Sequence, residues 1–432
     1  MKQIKLNRTE WSWAFYDVAF SAFAILSTAF LPIMMKFAGK SEGFSNALTT
    51  AHWGYVQSFS TLIIALLAPV LGAIADFKGK KKHLFRIFFI IALVSLVSMI
   101  FSDNYWILLF ANFICAIGYS GTNIIYDAYL IDVTDGSKMN FLSSLGFGVG
   151  YAGRCIPYII GIILYSVQPF GISELVALKI AIGITAVWWF IFSIPFFKNV
   201  KQIYGREEHP DKLVRTSLKN TYATFKNIIK DKDMGLFLLA YFFYIDGVNT
   251  LITMSSDFGY DIGVSVTTMA VALLATQIVA APSVLIFERL ARRFTTKSIL
   301  LVAICIFSGI CGYAVFMKHA WQFWIMAVAT GLVLGTIQAL SRAYFGRMIP
   351  DKNKNNEYFG FFNVLSRYSS FLGPLMISLF TMLTGSSRYG IMSIVLLFAI
   401  GFIILLFVKN IDTQPKDDTM VFSIPLEELP QK

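Results

Sequence analysis

Charge is what this chain of 432 residues has least of: 14% of its residues are Asp, Glu, Lys or Arg, against 56% hydrophobic. A soluble domain carries about 25% charged residues, and with a mean hydropathy of +0.66 the composition excludes a water-facing globular fold. Cysteine and histidine are scarce too, with four of each. Cys115, Cys155, Cys305 and Cys311 sit in apolar stretches without paired spacing and read as small packing residues. His52, His83, His209 and His319 are scattered over helix ends and loops, which excludes a metal site. A P-loop or other ATP-binding pattern is missing. Asp132 and Asp135 form a lone DxxD pair without a second acid cluster, so Mg²⁺-dependent chemistry on a diphosphate is excluded as well. No enzyme activity, cofactor or metal is expected. The first apolar stretch carries Asp17 and is too long for a signal h-region, so no cleaved peptide is expected.

What the chain has is apolar length. A hydrocarbon core of about 30 Å needs roughly 20 apolar residues per helix. About twelve such stretches are present, six on either side of a polar segment at 198–234. The expected organisation is a six-helix bundle at 1–197, a linker at 198–234, a second six-helix bundle at 235–410 and a polar tail at 411–432. The net charge of +11 does not form a nucleic-acid patch, because the basic residues fall at alternate helix boundaries. Lys2, Lys5, Arg8, Lys78, Lys80 to Lys82, the 198–232 segment, Arg289, Arg292, Arg293, Lys297, Lys352, Lys354 and Lys409 share one side. The positive-inside rule makes that side cytoplasmic, with both termini inside. Within the linker, Val214, Leu218, Tyr222, Phe225 and Ile229 share one helical face beside Arg215, Lys219, Lys226 and Lys230, which predicts an amphipathic helix on the inner leaflet. Trp11 and Trp13 are expected at the inner interface. Gly146, Gly148, Gly150 and Gly153 allow close helix contact, and Pro157, Pro282 and Pro374 are expected to kink their spans.

The two halves echo each other. DAYLID at 127–132 is answered by RAYFGR at 342–347, with acids exchanged for bases, and each closes an apolar stretch containing a Gly-Thr pair, at 121–122 and 335–336. FYDVAFS around Asp17 returns loosely as YIDGVNT around Asp246. LGAIADFKGKKK at 71–82 returns as FERLARRFTTK at 287–297, where Asp76 becomes Arg292. Two six-span halves of equal orientation are the parallel repeats of the major facilitator superfamily, with substrate sites between the halves near the midplane. The expected fold is an all-α membrane protein of that class, with 12 transmembrane helices in two parallel repeats.

The turn at 72–82 resembles the superfamily signature between spans two and three. Four further stretches carry a closer likeness: the WxWxxYDxAxSxF pattern at 11–23, GYxG at 150–153, GTIQALSRAYFGRMIP at 335–350 and EYFGFFNVLSRYSSFLGP at 357–374. Together they resemble the vacuole-effluxer-like family, whose eukaryotic relatives release amino acids from the vacuole. Arg154, after Gly153, departs from the small residue expected there. The resemblance implies a secondary transporter of a small polar solute, an amino acid first, by efflux or coupled to protons. A carrier for another small solute or drug, and a sensor or scaffold without transport, are the rival readings. Short loops and the lack of a targeting segment suggest a bacterial inner membrane; a monomer is expected, with substrate, protons and lipid as partners.

An ionisable side chain inside a span costs a few kcal/mol unless paired or hydrated, so each is a functional candidate. Counting about 1.5 Å per residue puts Arg154 and Asp246 near the midplane and Asp17 somewhat shallower. For substrate binding the expected set is Asp17, Arg154, Asp246, Asn123, Asn249 and Gln338, with Gln277 and Asn363 as further polar lining. In one alternative Arg154 holds a carboxylate and Asp246 or Asp17 an ammonium; in the other Arg154 simply pairs with one of those acids. Asp17 and Asp246 are the proton-coupling candidates. Asp76, Asp127, Asp132, Arg342 and Arg347 are expected to form a cytoplasmic gate, and Asp127 and Asp132 point about 140° apart.

Overall fold

The computed structural model describes residues 5–207, 213–261, 264, 266–317, 319, 321–369, 372–384 and 387–412. Most of the expected tail therefore lies outside the described residues. The first group of helices is α1 (Arg8–Ala29), α2 (Leu31–Ser41), α3 (Asn46–Ala75), α4 (Lys80–Ser98), α5 (Tyr105–Val133), α6 (Met139–Val167) and α7 (Glu174–Asn199). α8 (Leu213–Lys230) stands between the groups. The second comprises α9 (Lys232–Asp261), α10 (Val266–Arg293), α11 (Thr296–Val315), α12 (Trp321–Met348), α13 (Asn355–Tyr368), α14 (Leu372–Thr384) and α15 (Ser387–Phe407). Among the described residues there is no strand, only an isolated bridge between Phe77 and Arg206.

Nine single helices are long and apolar enough to cross a membrane, and two bent pairs bring the number to eleven among the described residues. α13 and α14 follow one another where the eleventh of twelve spans is expected, and each alone is too short for a core of about 30 Å. Where one span is expected, the described residues thus form two separate helices. Span one also breaks: α1 and α2 meet at 44°, where Phe30 caps one helix and Pro32 opens the next. By contrast, α6 and α10 run through Pro157 and Pro282 as single helices. At Phe30 the break falls where proline begins a helix, because there its missing N–H costs no internal bond.

α1 starts at a capping box, Asn7 accepting from the Glu10 N–H at 2.8 Å while Glu10 accepts from the Asn7 N–H at 2.7 Å. Trp13, expected at the interface, is fully buried. Its ring stacks on Tyr126 at 4.6 Å between centroids, and its indole N–H reaches the Tyr126 carbonyl at 3.2 Å. That satisfied donor lets it pack as core. Without water to squeeze out between helices, association in lipid relies on close packing of small residues. The α6 glycines supply it on two faces: Gly150 and Gly153 meet Asp17, Ser21 and Val18 of α1, and Gly148 meets Ala281 and Val284 of α10. A Cβ on Gly146 would overlap Asp17 Oδ2. Gly146→Ala is therefore expected to cost about 1–3 kcal/mol through overpacking. Gly183→Ala, where the nearest atom is Ile100 Cδ1 at 3.5 Å, should change little. Thermal unfolding of both variants in detergent checks the contrast, and equal melting would remove the account.

The groups meet where α6 packs on α10 and α12, α3 on α13, and α5 on α13. α3 and α13 touch closely: a Cβ on Gly72 would overlap the Asn356 carbonyl, and one on Gly360 would lie 2.9 Å from the Ala68 carbonyl.

Candidate functional site

Polar contacts between the groups form three layers, starting at the waist and ending at the basic end that carries Lys78, Lys80, Lys352 and Lys409. At the waist, Arg154 on α6 donates to Gln277 Oε1 on α10. Its guanidinium lies 4.2 Å from the centroid of the Tyr151 ring. Tyr151 in turn donates to Gln338 Oε1 on α12 at 2.8 Å. Arg154 Nε is buried without a hydrogen-bond partner, as is the Asn123 side-chain oxygen. Of the two alternatives for Arg154, the pairing with Asp17 or Asp246 is not formed. Its partners at the waist, Gln277 and the Tyr151 ring, are neutral.

The middle layer centres on Arg342 of α12, which is 3% exposed. It donates to Asp127 Oδ1 at 3.0 Å, to Ser143 Oγ at 2.9 Å and to the Ser143 carbonyl at 3.1 Å. Asp17 Oδ2 lies 3.6 Å away and accepts from the Tyr126 hydroxyl at 2.6 Å. Asn363 of α13 donates to Asp127 Oδ2 at 3.1 Å. The guanidinium also faces the rings of Phe147 at 4.4 Å and Trp13 at 4.9 Å. One cation of the second group thus meets two carboxylates of the first, and a buried charge is retained because it is both paired and hydrogen-bonded. Asp17, expected near the substrate, belongs to this layer.

At the basic end Asp76 follows the last residue of α3 and caps α13. It accepts from the Asn356 N–H at 2.9 Å, from Asn356 Nδ2 at 2.6 Å and from the Glu357 N–H at 3.0 Å. Burial, reinforced by the Glu357 carboxylate, pushes this turn carboxyl up to about 8, against the pull of the Asn356 donors. Glu357 pairs with Arg206 at 2.5 Å and accepts from Thr224 of α8. The Arg206 backbone bonds Asp76 and Lys78 on both sides, donating at 2.7 Å and accepting at 3.0 Å. The linker thereby bonds to both groups of helices at the basic end.

Asp132 and Arg347 turn away from each other. Asp132 pairs with Lys81 at 2.5 Å, both fully buried, and accepts the Ile203 and Tyr204 N–H groups at 2.8 Å each. Arg347 pairs with Asp412 at 2.6 Å. The five-residue step aims the outer member of each frame back into its own group, so of the two reversed-charge pairs only Asp127 with Arg342 meets across.

Asp246 is completely buried on α9 and far from the substrate arrangement expected of it. It accepts the Leu372 and Gly373 N–H groups at 3.0 Å each and the Thr250 hydroxyl at 3.1 Å, capping α14 at the break of span eleven. Asn249 donates to the Ser366 carbonyl at 3.2 Å, on the α13 side of the same break. In apolar surroundings the amides exposed by a broken helix need such acceptors. Sequence reasoning missed Tyr126, Ser143 and Tyr151. The repeat did hold a signal for the first, since Tyr126 directly precedes Asp127 as Ser341 precedes Arg342, and Ser341 bonds Tyr244 at 2.6 Å.

Comparison with known proteins agrees with this architecture. The family model "Vacuole effluxer Atg22 like" matches residues 47–133 and 131–414. YxiO of Bacillus subtilis (strain 168), named as an MFS-type transporter, is 42% identical over 94% of this chain and 96% of its own. Autophagy-related protein 22 of Saccharomyces cerevisiae (strain ATCC 204508 / S288c) is 25% identical over 78% of this chain and 73% of its own. Among solved structures, the transporter FucP in its outward conformation superposes with a TM-score of 0.66 at 15% identity, covering 92% of this chain and 98% of its own. The human organic anion transporter MFSD10 gives 0.67 at 12% identity, over 92% and 99%. With the repeat, the broken spans and this match across nearly its whole length, the chain belongs to the vacuole effluxer Atg22 like family, within the major facilitator superfamily of transporters.

Proposed function

We propose that the protein carries a small zwitterionic solute, an amino acid, by alternating access, and that Arg154 takes the solute's carboxylate. The observation that carries this reading is the Arg154 guanidinium at the waist, held by neutral Gln277 and keeping one buried N–H unused. A planar fork of this kind suits bidentate carboxylate binding. Gln277 is then the group that substrate displaces, and Tyr151, Gln338 and Asn123 line the place beside it. Asn249, which holds the span-eleven break, shapes the site from outside.

In this reading the basic end faces the cytoplasm of a bacterium, both termini lie inside, and the monomer works in the inner membrane. The conformation is closed inward, with Arg342 as its bar. Opening inward separates Arg342 from Asp17 and Asp127, and a proton can replace the lost counter-ion on Asp17. Asp17 is therefore preferred over Asp246 for coupling, since both oxygens of Asp246 are engaged in capping α14. A second reading, an organic anion without an ammonium group, is favoured by the neutral surroundings of Arg154.

Counterflow in proteoliposomes tests both. Vesicles loaded with unlabelled amino acids, or separately with organic acids, are given single labelled solutes outside. Losing a charge-assisted contact of about 1.5–3 kcal/mol, Arg154→Ala is expected to raise the apparent KM by about 10- to 100-fold, with Arg154→Lys between. Folded Arg154→Ala protein with unchanged apparent affinity would overturn the role of Arg154. Counterflow of organic acids alone would replace the amino acid.

A further inference from the structure

Around α8 four kinds of residue fall on four sides, and they match four surroundings. Ser217, Thr224 and Ile228 are buried against the bundle, and Thr221 donates to the Pro69 carbonyl in α3 at 3.3 Å. About 100° round the helix, Leu218, Tyr222, Phe225 and Ile229 form one exposed stripe. Lys219, Lys226 and Lys230 follow on the side away from the protein, and Thr216, Asn220, Ala223 and Asn227 complete the circle opposite the apolar stripe.

α3, to which α8 is bonded at Pro69, exposes Leu62, Leu66 and Leu67, apolar surface that in a membrane-spanning protein meets acyl chains. A helix seated at that level, with apolar residues toward the chains and lysines beside them, fits a bilayer surface bearing negative headgroups. Its inner face is fastened to the closure. Thr224 donates to Glu357, the residue that also binds Arg206 and whose N–H is capped by Asp76.

We propose that α8 is a lipid-reading brace: anionic phospholipid headgroups engage Lys219, Lys226 and Lys230, and the seated helix holds the basic end closed through Thr224 and Glu357. Each lysine near such a surface is attracted appreciably, and this attraction adds to whatever favours the closed state. The proposal requires neither a particular substrate nor a particular sidedness.

The test uses the full chain with Cys305→Ser, in nanodiscs of neutral phosphatidylcholine with or without anionic phosphatidylglycerol. A nitroxide at Tyr222→Cys reports seating, and nitroxides at Lys80→Cys with Lys352→Cys report the distance across the basic end by electron–electron resonance. The label at position 222 is expected to be more accessible to oxygen than to a water-soluble nickel chelate. Anionic lipid is expected to raise the closed-to-open ratio about fivefold or more. Lys219→Gln with Lys226→Gln and Lys230→Gln should abolish that rise. Thr224→Val should keep the seating and lose the effect on distance. A distance distribution indifferent to lipid charge would overturn the proposal, as would a label shielded from both oxygen and nickel, the mark of a protein partner on the stripe. Counterflow plays no part in this readout, so a failure of the amino-acid reading leaves it standing or falling on its own.

Discussion

Arg342→Ala is expected to unbar the basic end and to do so by a large margin. The substitution leaves Asp17 and Asp127 buried without their cation, and breaking a buried pair from one side costs about 3–5 kcal/mol. Because the pair joins the two groups of helices, that cost falls on the closed state. A loss of this size shifts a two-state equilibrium by roughly two to four orders of magnitude. Spin labels at Lys80→Cys and Lys352→Cys measure it directly: the long-distance population should dominate, and an unchanged distribution would show that the bar lies elsewhere. The geometry also predicts an asymmetry in charge reversal. Asp127→Arg with Arg342→Asp restores the pair at 3.0 Å but sets the introduced carboxylate beside Asp17, which lies 3.6 Å from the native guanidinium. The double reversal should therefore stay impaired, and adding Asp17→Asn should recover closure. Full recovery without that third change would mean that Asp17 is no part of the layer.

Asp246→Ala carries the second large effect. The Leu372 and Gly373 N–H groups would lose their acceptor at a helix end with no water to replace it, and an orphaned buried donor costs about 1–3 kcal/mol. The start of α14 would lose its fixed position, and with it the α13 segment that carries Asn363 and Glu357. Thermal unfolding in detergent should drop by several degrees or the protein should fail to accumulate. Asp246→Asn keeps a side-chain oxygen able to accept from one N–H, so its loss should be clearly smaller. If the Asn and Ala variants melt together, capping is not what Asp246 contributes.

Part of this site was legible before any coordinates. The sign-reversed frames at 127–132 and 342–347 pointed to a contact between Asp127 and Arg342, and the 140° step warned that Asp132 would point elsewhere. Its partner Lys81 was hidden among three consecutive lysines, all of which read as topology. Depth along a span ranked Asp17, Arg154 and Asp246 as functional candidates without saying what each one faces. Asp17 meets Arg342 because Gly146 and Gly150 let α1 approach α6 closely. Asp246 meets backbone amides at the start of α14; the polar run at 366–370 and Pro374 marked an irregularity there, but nothing in the sequence tied it to Asp246, more than 120 positions away.

The sequence by itself determined the class, an all-α membrane protein of the major facilitator superfamily, because apolar length is a one-dimensional property set by the thickness of a bilayer. It likewise determined the amphipathic stripe of α8, since helical periodicity is a local property. Only the tertiary structure decided which buried charges pair, that Arg154 keeps neutral company at the waist, and that the segment between the groups bonds Glu357 through Arg206 and Thr224. The bonds of Arg154, Arg206 and Thr224 each join residues more than 100 positions apart, and even Lys81 and Asp132 are 51 apart. Their partners depend on helix rotation and crossing, which close packing at a few glycines selects and hydropathy does not encode.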